Sequence, residues 1–107
     1  MSARRNVAPV FAALGDELRL SLVERLAKGR PLSITDLARG SGVTRQAVTK
    51  HLHVLAGSGL ARAARVGRER RWELESGRLV EARRHLDHVS RRWDEALERL
   101  RRFVESA

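Results

Sequence analysis

Apolar positions recur with a helical period along most of the chain and with a period of two over one short stretch. Val7, Val10, Phe11 and Leu14 predict a helix over 6–14, closed by Gly15. Asp16 then caps a second helix over about 17–28, with Leu18, Leu22 and Leu26 one turn apart and a stop at Gly29. After a turn at Pro31-Leu32, Ser33 followed by Asp36 has the form of a capping box, with Asp in place of the usual Glu. It opens a short helix whose Ile34, Leu37 and Ala38 point inward, and Gly40-Ser41-Gly42 ends that helix. Thr44 caps the next, over about 45–57, where Ala47, Val48, Leu52 and Leu55 form the buried stripe. The opposite face shows Arg45, Gln46, Thr49, Lys50 and His53. Two helices across a short glycine-containing turn, the second with an exposed polar and basic face, make a helix-turn-helix over 33–57.

After Gly57-Ser58-Gly59 the period changes. Leu60 to Val66 and Arg70 to Leu74 predict two strands joined by a tip at Gly67-Arg68-Glu69, a hairpin spanning about 60–75. In this register Val66, Trp72 and Leu74 face the core, while Arg65, Arg71 and Glu73 face out. A basic hairpin directly after a helix-turn-helix is a wing, able to reach the minor groove or flanking phosphates. The last segment, about 78–104, repeats every seven residues. Leu79, Leu86, Trp93 and Leu100 alternate with Ala82, Val89, Ala96 and Phe103, with no Gly or Pro after Gly77. Such a helix is ~40 Å long, more than a winged-helix core can cover, so its surplus stripe calls for a second copy of itself. Val10 of the first helix joins Leu79, Leu86, Val89, Trp93, Leu97 and Leu100 as the expected dimer interface. The fold class is mainly α with a small β-hairpin: a winged helix-turn-helix, residues 1–107 as one domain, with a long C-terminal dimerisation helix.

Composition sharpens this picture at two points. The 107 residues carry 22 Lys+Arg against 13 Asp+Glu, and residues 44–71 hold Arg45, Lys50, Arg62, Arg65, Arg68, Arg70 and Arg71 against Glu69 alone. Arginine outnumbers lysine throughout, so its abundance says little, but the missing acids over helix and hairpin are the footprint of a polyanion partner. The absence of cysteine excludes disulfide scaffolds, thiolate metal sites and cysteine nucleophiles. No apolar run approaches the ~20 residues of a membrane span, and no leader-like segment follows Arg4-Arg5, so the expected compartment is the cytoplasm.

The run Thr44-Arg45-Gln46-Ala47-Val48-Thr49-Lys50-His51-Leu52-His53-Val54-Leu55, followed by Gly59-Leu60-Ala61 and Val66-Gly67-Arg68, resembles the ArsR-type winged-helix transcriptional regulators. Upstream, Ala13-Leu14-Gly15-Asp16-Glu17-Leu18-Arg19-Leu20 is similar to that family's entry to the second helix, with Glu17-Leu18 where Pro-Thr is common. The resemblance covers residues 8–75, and the C-terminal helix by pattern. It implies a homodimeric bacterial repressor binding a pseudo-palindromic operator in double-stranded DNA. It also implies metal control in many members, through a Cys-x-Cys pair where this chain has Ser33 and Thr35, whose hydroxyls are poor ligands for soft metals. In zinc-type members two pairs of ligands lie on the C-terminal helix. Here His85 and His88 share a face as weak candidates, and Ala96 and Arg99 stand where the second pair belongs. No cofactor is expected, and the resemblance leaves the effector open.

Residue by residue, Arg45 suits guanine O6 and N7 and Gln46 suits adenine N6 and N7, the alternative for each being phosphate contact or solvation. Thr44, Thr49 and Lys50 stand for phosphate or base edge, and His51 leans toward the core edge as a structural or phosphate-facing group. Arg68 at the wing tip, helped by Arg70, is expected at the minor groove or flanking phosphates. Trp72 and Trp93 are expected to pack, not to stack on bases. Nothing assembles into a catalytic site, so an enzyme is excluded. The competing class is a protein–protein module on the same scaffold, against which the acid-poor helix and wing argue. RNA binding is a third reading, weakened by the buried aromatics.

Overall fold

The computed structural model describes residues 6–106. The elements run α1 (Ala8–Leu14), α2 (Glu17–Leu26), α3 (Ile34–Ala38), α4 (Arg45–Gly57), β1 (Ala61–Val66), β2 (Glu69–Leu74) and α5 (Ser76–Ser106). The capping chemistry anticipated from the sequence is present at the starts of α2, α3 and α4. Asp16 accepts from the Arg19 N–H at 2.9 Å, Thr44 Oγ1 accepts from the Ala47 N–H at 3.1 Å, and Ser33 and Asp36 exchange both bonds of a capping box. Pro9 sits in the first turn of α1, where its missing N–H costs nothing.

Every element contributes to one core. Val10 and Ala13 of α1, Leu22 and Leu26 of α2, Leu37 of α3, and Val48, Leu52 and Leu55 of α4 are buried together with Leu60, Trp72 and Ala82. Val10 is fully buried inside its own protomer, which corrects its assignment to the dimer interface. A valine at i+3 from Val7 and i−3 from Ala13 shows helical periodicity whether the surface it meets belongs to its own chain or to another.

The hairpin corrects a second expectation. Its tip is the two-residue Gly67-Arg68, so Val66 pairs with Glu69, Arg65 with Arg70, Ala64 with Arg71 and Ala63 with Trp72. Opposed residues of an antiparallel pair share a face, and lengthening or shortening the tip by one residue exchanges the faces of a strand. Val66 therefore stands 47% exposed on the outer side, and Arg65 lies on the side of Trp72. Gly67 supplies the positive φ of 63° at the first central position, where a side chain would be strained. The outer edge of β2 is covered by a bridge to the segment before α3, with Leu32 N–H to Trp72 O at 2.9 Å and Trp72 N–H to Leu32 O at 2.8 Å.

Helix α5 has 31 residues and is ~46 Å long. Ala82 is its one buried residue among those described, and Leu79 packs partly against the core. Arg78 anchors its base by donating to the Ser58 and Asn6 carbonyls at 3.3 and 2.7 Å and to Glu81 at 3.2 Å. Gly59, at φ +80°, makes room for this arginine, since a Cβ there would lie 3.0 Å from Arg78 Cγ. No helix among the described residues is long and apolar enough to cross a membrane.

The Ser33 N–H, and then the Ser33 hydroxyl, hold the Asp36 carboxyl below the usual carboxylate range, with Arg39 and Arg71 adding to the effect. A folded pKa below the unfolded one gives a contribution that is complete above about pH 4 and is lost as pH falls through the folded value. Asp36→Ala should therefore lower Tm at pH 7, and the gap to the parent protein should narrow as pH falls below the ordinary carboxylate range. A gap that does not change with pH in thermal melts would remove the charge from this account.

Candidate nucleic-acid interface

Helices α3 and α4 are joined by a turn through Gly40 and Gly42, both at positive φ (74° and 76°), with Ser41 Oγ donating to the Ala38 carbonyl at 2.7 Å and accepting from the Val43 N–H at 3.3 Å. Val48, Leu52 and Leu55 bury one side of α4. At 3.6 residues per turn, Arg45, Gln46, Thr49, Lys50 and His53 then fall within one arc on the other side. Arg45, Gln46, Lys50 and His53 are exposed, as is Thr44 at the cap, and Thr49 is half-buried with its hydroxyl donating to the Arg45 carbonyl at 2.8 Å.

His51 is held apart from this stripe. Its Nδ1 lies 3.3 Å from a terminal nitrogen of Arg19 and 3.8 Å from an Asp16 carboxylate oxygen. A guanidinium only donates, so the Arg19 contact requires Nδ1 to accept, which places the proton on Nε2. Arg19 also donates through Nε to the Ala13 carbonyl at 2.7 Å and more weakly to Ala12 at 3.4 Å. One side chain thus ties the end of α1 and the start of α2 to the middle of α4. The Asp16 carboxyl at this junction is held below its ordinary range, first by the Arg19 N–H and then by the nearby Arg19 guanidinium. Arg25 makes a similar tie, donating to the Leu37 and Asp36 carbonyls of α3 at 2.6 and 2.8 Å.

The wing presents Arg68 at its exposed tip and Arg70 beside it, the latter 5.0 Å above the Trp72 ring. The His53 ring lies 6.0 Å from Trp72, so the exposed stripe of α4 and this side of the wing are continuous. Two members of this surface were not singled out in the sequence: His53 as the link between helix and wing, and Arg65, whose side depended on the tip length. On α5, Leu86, Trp93, Leu97, Leu100, Phe103 and Val104 are exposed, Trp93 to 64% and Phe103 to 72%. Val89 is half-buried and continues the same stripe. His85 and His88 are exposed on α5, His85 with its ring 6.0 Å from that of Phe11. Among the described residues no group of three or more His, Asp or Glu gathers as a metal site.

Residues 14–62 match the family model of a helix-turn-helix domain. The chain is 37% identical over 106 residues to the HTH-type transcriptional regulator Rv2034 of Mycobacterium tuberculosis, covering 99% of this chain and 95% of that protein. It superposes on the ArsR-like transcriptional regulator from Rhodococcus sp. RHA1 with a TM-score of 0.83 and 36% identity, over 94% of this chain and 92% of the other. The chain belongs to the ArsR family of winged helix-turn-helix transcriptional regulators. Its fold is also that of the homodimeric winged helix-turn-helix DNA-binding domain Mb0332 of Mycobacterium bovis, with a TM-score of 0.61 at 24% identity over 92% of this chain and 94% of that one. The regulator is not an enzyme, and its helix-turn-helix and wing form a DNA-binding domain.

Removing the Arg19 fork leaves the Ala13 carbonyl and the His51 nitrogen without their donor. Arg19→Ala should lower stability by roughly 1–3 kcal/mol, and Arg19→Lys should not restore it, because an ammonium cannot span three acceptors as a planar fork does. Urea denaturation reads this directly. A midpoint unchanged in Arg19→Ala would show that water replaces the tie at no cost.

Proposed function

We propose that the regulator is a homodimeric repressor that binds a pseudo-palindromic site in double-stranded DNA, acting in the cytoplasm. The observation that carries the reading is the exposed, carboxylate-free arc of Thr44, Arg45, Gln46, Thr49 and Lys50 on α4, continuous with the wing. Arg45 and Gln46 at the start of the helix reach base edges, and Thr44, Thr49 and Lys50 touch phosphate or the base edges next along the groove. Arg68 and Arg70 contact the flanking backbone. His51 acts through the helix instead, since its ring is engaged by Arg19 and Asp16.

The dimer is supported by α5. Leu86, Val89, Trp93, Leu97 and Leu100 continue the stripe begun by Leu79 and Ala82 past the point where the protomer covers it. A row of large apolar side chains on a helix that outruns its own body is stabilised by a second copy, and the Mycobacterium bovis domain of the same fold is homodimeric. Two recognition helices related by a two-fold axis would sit ~34 Å apart, one turn of DNA. A dimer seated over a promoter excludes polymerase, and repression then needs no chemistry. With no cysteine in the chain, any control by metal does not pass through a thiolate.

Anisotropy with the duplex upstream of the regulator's own gene, against a shuffled competitor, tests the reading. We expect preference for the former and a loss of ~10³–10⁵ in affinity between 50 and 200 mM salt, if 6–10 phosphates are contacted. Binding to no duplex from a randomised pool would instead favour a protein–protein module. Arg45→Ala should relax the preference at one or two base positions by ~1–3 kcal/mol, and unchanged specificity in sequence selection would remove Arg45 from the base edge. Leu86→Glu should sediment as a folded monomer with weak DNA binding. A sedimentation profile still dimeric would move the interface elsewhere.

A further inference from the structure

The five arginines of the wing do not share one electrostatic environment. On one side of the hairpin each is neutralised: Arg62 by Glu73 at 2.7 Å and Glu75 at 3.2 Å, and Arg71 by Glu69 at 2.6 Å. On the other side Arg65 and Arg70 are directly opposite each other in the register, with Arg68 at the adjoining tip, and none of the three pairs with a carboxylate among the described residues. Like charges placed directly across a strand pair repel one another, a cost that an anion between them would relieve. The guanidinium of Arg70 rests over Trp72, whose ring is nearly fully buried and whose backbone is locked on both sides by strand pairing. Cation–π contact on a fixed ring sets the direction in which Arg70 points. His53 of the recognition helix borders the same ring, so this side of the wing and the exposed arc of α4 form one surface.

We propose that Arg65 and Arg70 form a clamp for a single backbone phosphodiester of duplex DNA, aimed by Trp72, and that the wing approaches DNA by this side alone. Arg65 is thereby a binding residue, while Arg62 and Arg71 hold the wing together. Two guanidinium forks converging on one phosphate give paired charge-assisted bonds, and both are free to donate. The proposal rests on the DNA-binding reading and gives it a geometry: one phosphate per wing, gripped by both strands.

The slope of log affinity against log salt counts phosphate contacts, falling by about one for each contact removed. With two wings per dimer, removing both arginines releases one phosphate per wing, so the Arg65→Gln/Arg70→Gln double variant should lower the slope of the otherwise intact dimer by about two. Each single variant should weaken binding but leave the slope nearly as it is, because the remaining arginine still neutralises the same phosphate. Base preference should be unchanged in all three, and Arg62→Gln should leave the slope as it is. The urea midpoint of Arg65→Gln should be equal to or above that of the parent protein, since a like-charge contact is removed.

A steep parent slope left unaltered by the double variant overturns the clamp while the DNA-binding reading stands. So do losses of about two in each single variant that add to about four in the double one, or a lowered midpoint for Arg65→Gln. A parent protein with no salt-dependent binding fails the reading itself. Inorganic phosphate added at matched ionic strength should not displace the duplex. Displacement from the parent protein but not from Arg65→Gln would assign the clamp to a free anion and overturn the proposal.

Discussion

The structure depends on the burial of one side of α4. Val48, Leu52 and Leu55 are inaccessible to solvent, and α1, α2, α3 and Trp72 of β2 close around them. Each fully buried leucine or valine is worth about 1.5–3 kcal/mol. A helix cap is worth about 1 kcal/mol and an exposed ion pair rarely more than that. Packing therefore decides which side of α4 faces inward, and the reading side is what remains. A recognition helix held in this way presents Arg45, Gln46 and Lys50 on a rigid support, so little ordering is left to be done when DNA arrives.

Arginine serves two purposes here, and its partners separate them. Arg19, Arg25 and Arg78 spend donors on backbone carbonyls at helix ends and loops, and Arg19 also on the His51 ring, joining α1 to α4, α2 to α3, and α5 to the α4 terminus. These ties satisfy carbonyls that would otherwise lack a donor, and they hold the reading helix in relation to the helix expected to carry the dimer. Arg45, Arg65, Arg68 and Arg70 keep their donors exposed on one continuous surface. The hairpin repeats this division within twelve residues of strand, with one side neutralised by glutamates and the other not.

Much of the architecture was legible because its signals are local. Ser33-Asp36 and Thr44 mark helix starts through bonds closed within three residues, and the α4 stripe follows from a period that any neighbour would impose. The hairpin was legible as a hairpin, but its faces were not. Gly67-Arg68-Glu69 offers a tip of two or three residues, and the choice reverses the side of Arg65 and Val66. Periodicity marks Val10 as apolar-facing without naming the surface it meets. The role of Arg19 left no mark in the sequence, since its partners Ala13 and His51 are brought to it only by the folding of α1 and α4.

By itself the sequence determined the order and kind of the elements, the acid-poor character of helix and wing, the absence of thiolate chemistry and the surplus apolar stripe of α5. These are properties of composition and of periods shorter than one helix, carried by bonds between residues a few positions apart. Tertiary structure decided which arginines are spent and which are free, where His51 turns, and on which side of the wing Arg65 lies. Those outcomes depend on strand register and on contacts between residues distant in the chain, such as Arg19 with His51 and Arg78 with Asn6, whose meeting no local period encodes.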